Sequence, residues 1–323
     1  MNNILILCAG TRVELVQYFK ETFAGHGNVI CTDSSAIAPT LYVADKGYVV
    51  PDIFAKDYFS TILDICKKEA IQAVFSLIDP ELSLLAKHRA EFEAIGVLPI
   101  ISSQNTVDIC FDKYQTAQYL KSIGLPYIPS YLHAEDVKQA LQEGVLQFPL
   151  FQKPNTGSCS VGIKKIESLE NLEIYDGAVY QECMQGKEFG VDVFADLQTG
   201  KVVDLFMKEK LLMRAGETDK SISVHNEALQ NTVVRFVESL GFRGQIDIDV
   251  FEKDGAYYIS EINPRFGGGY LHAYACGVNF PKYILNHLQG KTNPVFQKAN
   301  YAPKQVMMKY LTIITKPEEE LLQ

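Results

Sequence analysis

The chain lacks the marks of several common protein classes. Its seven cysteines (Cys8, Cys31, Cys66, Cys110, Cys159, Cys183 and Cys276) form no CxxC pair. They are odd in number and widely spaced, which fits reduced thiols better than a disulfide framework. The six histidines form no HxxxH or HxH pair, which argues against a zinc site. No apolar run reaches the roughly 18 residues of a membrane span. The N-terminal MNNILILCAG carries no basic leader and no long apolar core, so it reads as a first strand and not as a secretory signal. Cytoplasm is the expected compartment. The net charge of −9 and pI of about 5.3 argue against nucleic-acid or anionic-membrane partners, yet leave room for a local basic site binding a small phosphate. There is no internal repeat, no low-complexity linker, no complete GxGxxG and no Walker A motif.

What is present is a chain of 323 residues, 47% of them hydrophobic, enough for about two domains with sizeable cores. Over the first hundred residues apolar runs alternate with helical periodicity. Asn3–Cys8, Val29–Thr32, Lys46–Val50, Ala73–Leu77 and Val97–Ile101 read as strands. Thr11–Phe23, Tyr58–Glu69 and Glu81–Ala94 read as helices. This order predicts βαβ units and a parallel sheet, whose ligands bind at the carboxyl ends of the strands. The loop Cys8–Arg12 lies at such an end and is either an anion-binding helix start or an ordinary tight turn. Asp33, Asp79 and Glu81 close other strands, where they either meet a substrate or cap the next helix. A helix is expected over Val107–Ile123, stopped by Gly124 and Pro126, and another over Ala134–Glu143. From about Phe148 strands dominate: Phe151–Pro154, Ile163–Ile166, Val179–Met184, Gly190–Ala195, Lys201–Lys208, Gln245–Phe251 and Ala256–Ile262. Asn226–Leu240 and most of the stretch from Gly269 to Leu288 read as helix. Met307–Ile314 suggests a last strand, and Glu318–Glu320 the start of a helix.

Three strings carry chemistry. In residues 151–163, Lys153 ends a strand before the small residues Gly157, Ser158, Ser160 and Gly162. Their backbone N–H groups can close over a phosphate chain beside a fixed positive charge, or the string is a plain hairpin with a flexible tip. In residues 246–269, two strands flank the turn Lys253-Asp254-Gly255. Period-2 alternation puts Asp247 with Asp249, and Glu261 with Asn263, and pairing about the turn can bring Asp249 opposite Glu261. Acids on an apolar strand are costly to bury unpaired. Asp249, Glu261 and Asn263 suit a Mg²⁺ ion that takes its other ligands from substrate phosphates. Arg265 then stands where it can stabilise a transferring phosphoryl group. The bland reading of the same string is a solvated hairpin face. In residues 179–193 a strand breaks at Gln185-Gly186, exposing backbone that can read an adenine edge, with Glu188 placed to accept from ribose hydroxyls. An edge strand with a turn is the default there.

In combination these strings resemble the ATP-grasp superfamily, and most of all its carbamoyl-phosphate synthase large-subunit-like branch. The residues that carry the resemblance are Asp112-Lys113, Gln152-Lys153-Pro154 with its glycine-serine loop, Gln181-Glu182, Gly186-Lys187-Glu188, Asp249, and Glu261-Ile-Asn-Pro-Arg265. The resemblance implies an α/β N-terminal parallel-sheet, Rossmann-like domain (residues 1–106) followed by an α+β ATP-grasp domain. The latter comprises a small subdomain with a lid loop (107–180) and a C-terminal subdomain with the Mg²⁺ site (181–323). It further implies that Lys113 and Lys153 contact ATP phosphates, with Lys153 also near the adenine pocket. Thr156–Gly162 would be a mobile lid. Glu182 and the backbone of Cys183 and Met184 would read adenine, and Glu188 the ribose. Asp249 and Glu261, with Asn263, would ligate Mg²⁺ (Mn²⁺ being the alternative), and Arg265 would stabilise an acyl phosphate. A homodimer is expected on the same ground. A carbamoyl-phosphate synthase large subunit has two such halves, and this chain has one.

The expected activity is an ATP- and Mg²⁺-dependent carboxylate ligase acting on a small carboxylate and an amine. The alternatives are a nucleotide-binding regulatory subunit, a partner-dependent half of a larger synthase, and a small-molecule kinase. Met207–Val224 aligns with nothing securely, so Arg214, beside Lys208 and Lys210, is a candidate catalytic residue from position alone. Substrate choice is expected to reside in residues 9–12, 33–36, 79–81 and 207–224. Cys159 in the lid has no histidine near it in sequence and is not expected to be a nucleophile. His225 and His272 read as structural or surface residues, with His272 near enough to the glycine run to be a candidate for lining a substrate site.

Overall fold

The computed structural model describes residues 1–157, 163–172 and 176–322. The N-terminal part is a five-stranded parallel sheet of β1 (Asn3–Leu7), β2 (Val29–Asp33), β3 (Lys46–Val49), β4 (Ile71–Ser76) and β5 (Leu98–Pro99), in the order β3-β2-β1-β4-β5. All five residues of β1 are buried, as a strand covered on both faces requires. The helices are α1 (Val13–Phe23), α2 (Thr40–Val43), α3 (Tyr58–Lys68), α4 (Asp79–Lys87) and α5 (Arg89–Ala94). The single helix expected over Glu81–Ala94 is thus interrupted at His88. The last strand is shorter than expected because Pro99 has no N–H to extend the ladder.

The helix expected over Val107–Ile123 is also two: α6 (Gln104–Phe111) and α7 (Lys113–Ser122). Asp112 between them is extended (φ −105°, ψ 109°), and its Oδ1 accepts the Gln115 N–H at 2.8 Å. Its short side chain offers the backbone a cap in place of a continuing helix. Lys113 therefore opens α7, where the helix dipole is positive.

A four-stranded sheet follows, built from β6 (Ser130–Tyr131), β7 (Leu150–Pro154), β8 (Lys164–Ile166) and β9 (Ala178–Glu182) in the order β6-β9-β7-β8, with α8 (Ala134–Gln142) packed on it. The third sheet has six strands: β10 (Lys187–Ala195), β11 (Val202–Arg214), β12 (Glu217–Ser223), β13 (Gly244–Lys253), β14 (Ala256–Asn263) and β15 (Val306–Met308). Their order is β14-β13-β10-β11-β12-β15. One face is apolar and packs on α9 (Glu227–Leu240) through Val191, Val193, Leu205, Ile246 and Ile248 against Val233 and Phe236. Asn226 caps α9 and Gly241 ends it in the left-handed region (φ +72°).

The segment 207–224, unassigned from sequence, is the outer half of β11, a turn at Ala215-Gly216 with both φ positive, and β12. The register shifts between Lys210 and Leu212, so the period-2 pattern that would have revealed the strand is broken there. At the tail, pairing stops at Met308, and Glu318–Glu320 makes a single 3₁₀ turn. Two further helices, α10 (Tyr270–Ala275) and α11 (Phe280–Leu288), pack against the N-terminal part. Phe19, Phe75, Phe266 and Phe280 belong to one core shared by the two parts, and this core joins α1 and the parallel sheet to Phe194 and Phe206 of the six-stranded sheet. Among the described residues no helix is long and apolar enough to cross a membrane.

Candidate active site

A cleft of about 630 Å³ lies between the four-stranded and six-stranded sheets. Its apolar end is formed by Ile128, Phe151, Ile163, Met184 and Phe251. Its other end is charged, because the face of the six-stranded sheet turned away from α9 carries the acids and lysines of β10, β11, β13 and β14.

The turn Asp254-Gly255, with φ +53° and +76°, starts the β13–β14 hairpin. A one-residue bulge at Ser260 then moves the pairing, so that Asp249 stands across from Glu261 and Asp247 across from Asn263. Asn263 Nδ2 lies 3.3 Å from Glu261 Oε1. Burial raises the Asp249 carboxyl above the usual carboxylate range. Lys210 pulls it back, and Asp247 and Glu261 push it further up. Lys210 Nζ sits 2.6 Å from Asp249 Oδ1 and 2.7 Å from Glu188 Oε1, so a cation already holds these two acids together. Among the described residues no three His, Cys, Asp or Glu side chains are arranged to hold a metal ion alone. An all-oxygen set of Asp249, Glu261 and Asn263, crowded with like charge and short of a full shell, fits Mg²⁺, which takes its remaining ligands from phosphates and water.

Arg265 is clamped from two sides. Its Nη2 donates to Asp79 Oδ2 at 2.9 Å and its Nη1 lies 3.4 Å from Asp247 Oδ2. Its Nε, and Asp79 Oδ1, are buried with no hydrogen-bond partner. Asp79 opens α4, so the N-terminal part braces Arg265 from behind, while Arg12 enters the cleft wall itself. The glycines after Arg265 are closely packed by side chains. A Cβ on Gly267 would stand 2.3 Å from Asp247 Cγ, and one on Gly268 2.6 Å from Arg12 Nη1. One on Gly269 would stand 2.6 Å from Lys208 Cε.

Opposite lie the lysines. Lys113 Nζ donates to Gly157 O at 2.7 Å, and its backbone N–H to Asn155 O at 3.0 Å, which ties the start of α7 to the loop after β7. Burial lowers the Lys113 pKa. Burial, with like charge from Lys113, brings Lys153 down to about 8. Two depressed ammonium groups facing a cleft are a receptor for an anion, whose arrival restores their charge.

Of the residues expected from sequence, Lys113, Lys153, Gly157, Glu182, Met184, Glu188, Asp249, Glu261, Asn263 and Arg265 all line this cleft. Glu182 is engaged by Lys253. The Cys183 N–H is already donated to Pro149 O at 3.0 Å. Ser158, Ser160 and Gly162, with Cys159 and the rest of the expected lid beyond Gly157, lie outside the described residues. Arg214 stands apart: its side chain is 62% exposed, it pairs with Asp219 at 3.4 Å, and it faces a neighbouring cavity. His272 is buried against Ser221, 2.8 Å from its hydroxyl, and faces neither cavity. Sequence reasoning missed Lys210 as a member of the site, and it named Asp79 and Asp247 without placing them at Arg265. Asp247 was legible because it shares the Asp249 face by period 2.

With this geometry known, comparison with known proteins places the chain. Residues 4–101 match the PylC-like N-terminal domain and residues 110–269 the ATP-grasp domain. The chain belongs to the ATP-grasp family. It is 28% identical over 310 residues to a carbamoyl-phosphate synthase of Methanobrevibacter smithii, covering 88% of this chain and 81% of that one. A D-alanine–D-alanine ligase of Fervidobacterium nodosum is 26% identical over 278 residues, covering 74% of this chain and 87% of the relative. In fold, the chain is similar to the biotin carboxylase domain dimer of Hydrogenobacter thermophilus 2-oxoglutarate carboxylase, solved with MgADP, ADP and bicarbonate. The TM-score is 0.73 at 14% identity, over 94% of this chain and 73% of that one.

Proposed function

We propose that this ATP-grasp protein is a Mg²⁺- and ATP-dependent ligase that activates a carboxylate as an acyl phosphate and transfers the acyl group to an amine. The observation that carries the reading is the convergence, in one cleft, of Lys113, Lys153 and Arg265 with the Asp249–Glu261–Asn263 set. The similarity to a carbamoyl-phosphate synthase and a D-alanine–D-alanine ligase supports the same class.

In this reading the apolar end of the cleft takes adenine, Glu182 and Met184 read its edge and Glu188 takes the ribose. Lys113 and Lys153 hold the phosphates. Asp249, Glu261 and Asn263 would hold Mg²⁺, which supplies charge neutralisation of the phosphates when bound. A carboxylate oxygen of the substrate bonds to the γ-phosphorus as the bond to the bridging oxygen breaks and ADP leaves. Arg265, fixed by Asp79 and Asp247, faces the charge that develops, so its contribution is electrostatic and prepaid. The amine nitrogen then bonds to the carbonyl carbon, the carbon–oxygen bond to phosphate breaks, and the departing phosphate takes up the amine proton. No covalent enzyme nucleophile is required. Arg214 is left without a role at the phosphates.

The test is ADP and phosphate release from Mg·ATP against a panel of carboxylates, each with and without amines and ammonia, beside a Glu261→Ala control. Release that needs both a carboxylate and Glu261 is the expected result, with a loss of about 10²–10³-fold in the control, on the scale of removing one transition-state charge partner. Failure of Mg·ATP to bind the intact chain would sink the reading.

A further inference from the structure

A second cavity, of about 670 Å³, adjoins the cleft, and Arg12, Glu217, Thr218 and Gly268 form the wall between them. Arg12 Nη2 lies 2.9 Å from Glu217 Oε1, and Lys309 Nζ 3.0 Å from Glu217 Oε2. Two cations thus share one carboxylate at this wall, and their remaining N–H donors are a pair that a second carboxylate can engage. Glu14 in the same walls supplies an acid for an ammonium group. Apart from the Arg214–Asp219 pair the rest of the lining is largely apolar, and its rim is unusual. Ile37, Leu311 and Ile313 are 74%, 88% and 87% exposed and close around the same concave space. Single exposed apolar side chains are ordinary, whereas several around one hollow mark a binding surface. The volume falls within the roughly 300–1,000 Å³ of small-molecule sites. The cavity is also where two segments expected to set substrate choice meet, the loop ending at Arg12 and the β11–β12 turn.

We propose that this cavity receives the amine substrate, a zwitterionic amino acid with a large apolar side chain. Arg12 and Lys309 take its carboxylate in place of Glu217, and its side chain covers Ile37, Leu311 and Ile313. The inference rests on the ligase reading for the word substrate, and on the cavity alone for the chemistry of the ligand. Continuity with the cleft favours a small molecule over a second copy of the chain, since the shared wall leads to Arg265.

The experiment is calorimetric titration of the full chain, with and without MgADP, using both enantiomers of phenylalanine and leucine, then glycine, 3-phenylpropionate and phenethylamine. Phenylalanine or leucine is expected to bind at least tenfold tighter than glycine and than either singly charged analogue. Ile37→Asp and Arg12→Gln should each weaken that binding tenfold or more, with MgADP affinity unchanged in Ile37→Asp. The proposal is overturned by no binding from any amino acid, or by binding that ignores both substitutions. It is equally overturned by light scattering that finds a dimer dissociated by Ile37→Asp while the amino acids fail to bind, which would assign the face to a second copy. Failure of MgADP alone to bind would strike the ligase reading and leave the nucleotide-free titration to decide the cavity.

Discussion

The two large sheets solve the burial problem in opposite ways. The parallel sheet is dry along β1, which is buried over its whole length and packs on apolar side chains from helices on both faces. It reaches the site by loops and helix starts at its strand ends, through Arg12 in the cleft wall and Asp79 behind Arg265. The six-stranded sheet is dry on the α9 face and ionic on the other. There, Lys208–Asp192, Lys210–Asp249 and Asp247–Arg265 form a row of pairs at 2.5, 2.6 and 3.4 Å. A parallel sheet wrapped in helices can offer chemistry only at its ends, whereas an antiparallel sheet with one open face can present alternate residues of every strand. That difference explains why charged residues that would wreck one sheet constitute the site in the other.

The comparison breaks most visibly at Arg265. Arg265→Met should abolish ligase turnover, by about 10³-fold or more if its donors meet the transition-state charge. It should also lower stability by about 3–5 kcal/mol, because Asp79 and Asp247 are left with buried, uncompensated charge. Urea melts beside single-turnover assays measure both. In the core that α5 forms against the dry sheet, Phe92→Ala should cost a similar stability, about 3–5 kcal/mol for a fully buried ring, yet leave the Michaelis constants of the folded fraction unchanged. A Phe92→Ala protein with altered nucleotide affinity would mean that the two sheets are not separable in this way.

The pair Lys208–Asp192 sharpens the same contrast on a smaller scale. Both side chains are buried to within 2% and sit behind the cleft. Asp192→Leu alone should destabilise by about 3 kcal/mol, since it strands an ammonium group. The double change Asp192→Leu with Lys208→Met should recover most of that, because a matched apolar pair replaces a matched ionic one. Failure of the double variant to recover would assign the pair to the electrostatics of the site and not to packing.

What was legible in the sequence follows the same division. The parallel sheet announced itself because doubly covered strands are unbroken apolar runs between helical periods. The metal-type hairpin was legible because a tight turn fixes register, although the Ser260 bulge that completes the Asp249–Glu261 opposition leaves no mark in composition. Lys210 was lost for the converse reason: a register shift beside it scrambled the alternation that identifies a strand. Asp79 and Arg12 were visible as strand-end residues with two readings each. Their pairing with Arg265 and Glu217 spans 186 and 205 positions of chain, and local pattern cannot see such distances. The helix break at Asp112 was available from capping chemistry and was overridden by apolar periodicity.

The smallest effect predicted concerns Lys153, whose pKa of about 8 reflects burial and the nearby Lys113. A depressed lysine is charged below that value and neutral above it, while phosphate binding requires the charged form. The affinity for MgADP should therefore be flat from pH 6.5 to 7.5 and fall as pH rises through 8, about tenfold between pH 7 and 9 for a single group titrating there. Lys153→Arg keeps its charge throughout, so its profile should be flat over the same window even if its absolute affinity is lower. Equal slopes for the two proteins would move the titration to another group. A flat wild-type profile would mean that Lys153 is better solvated than its burial implies, and that the cleft is wetter at its phosphate end than the dry wall behind it.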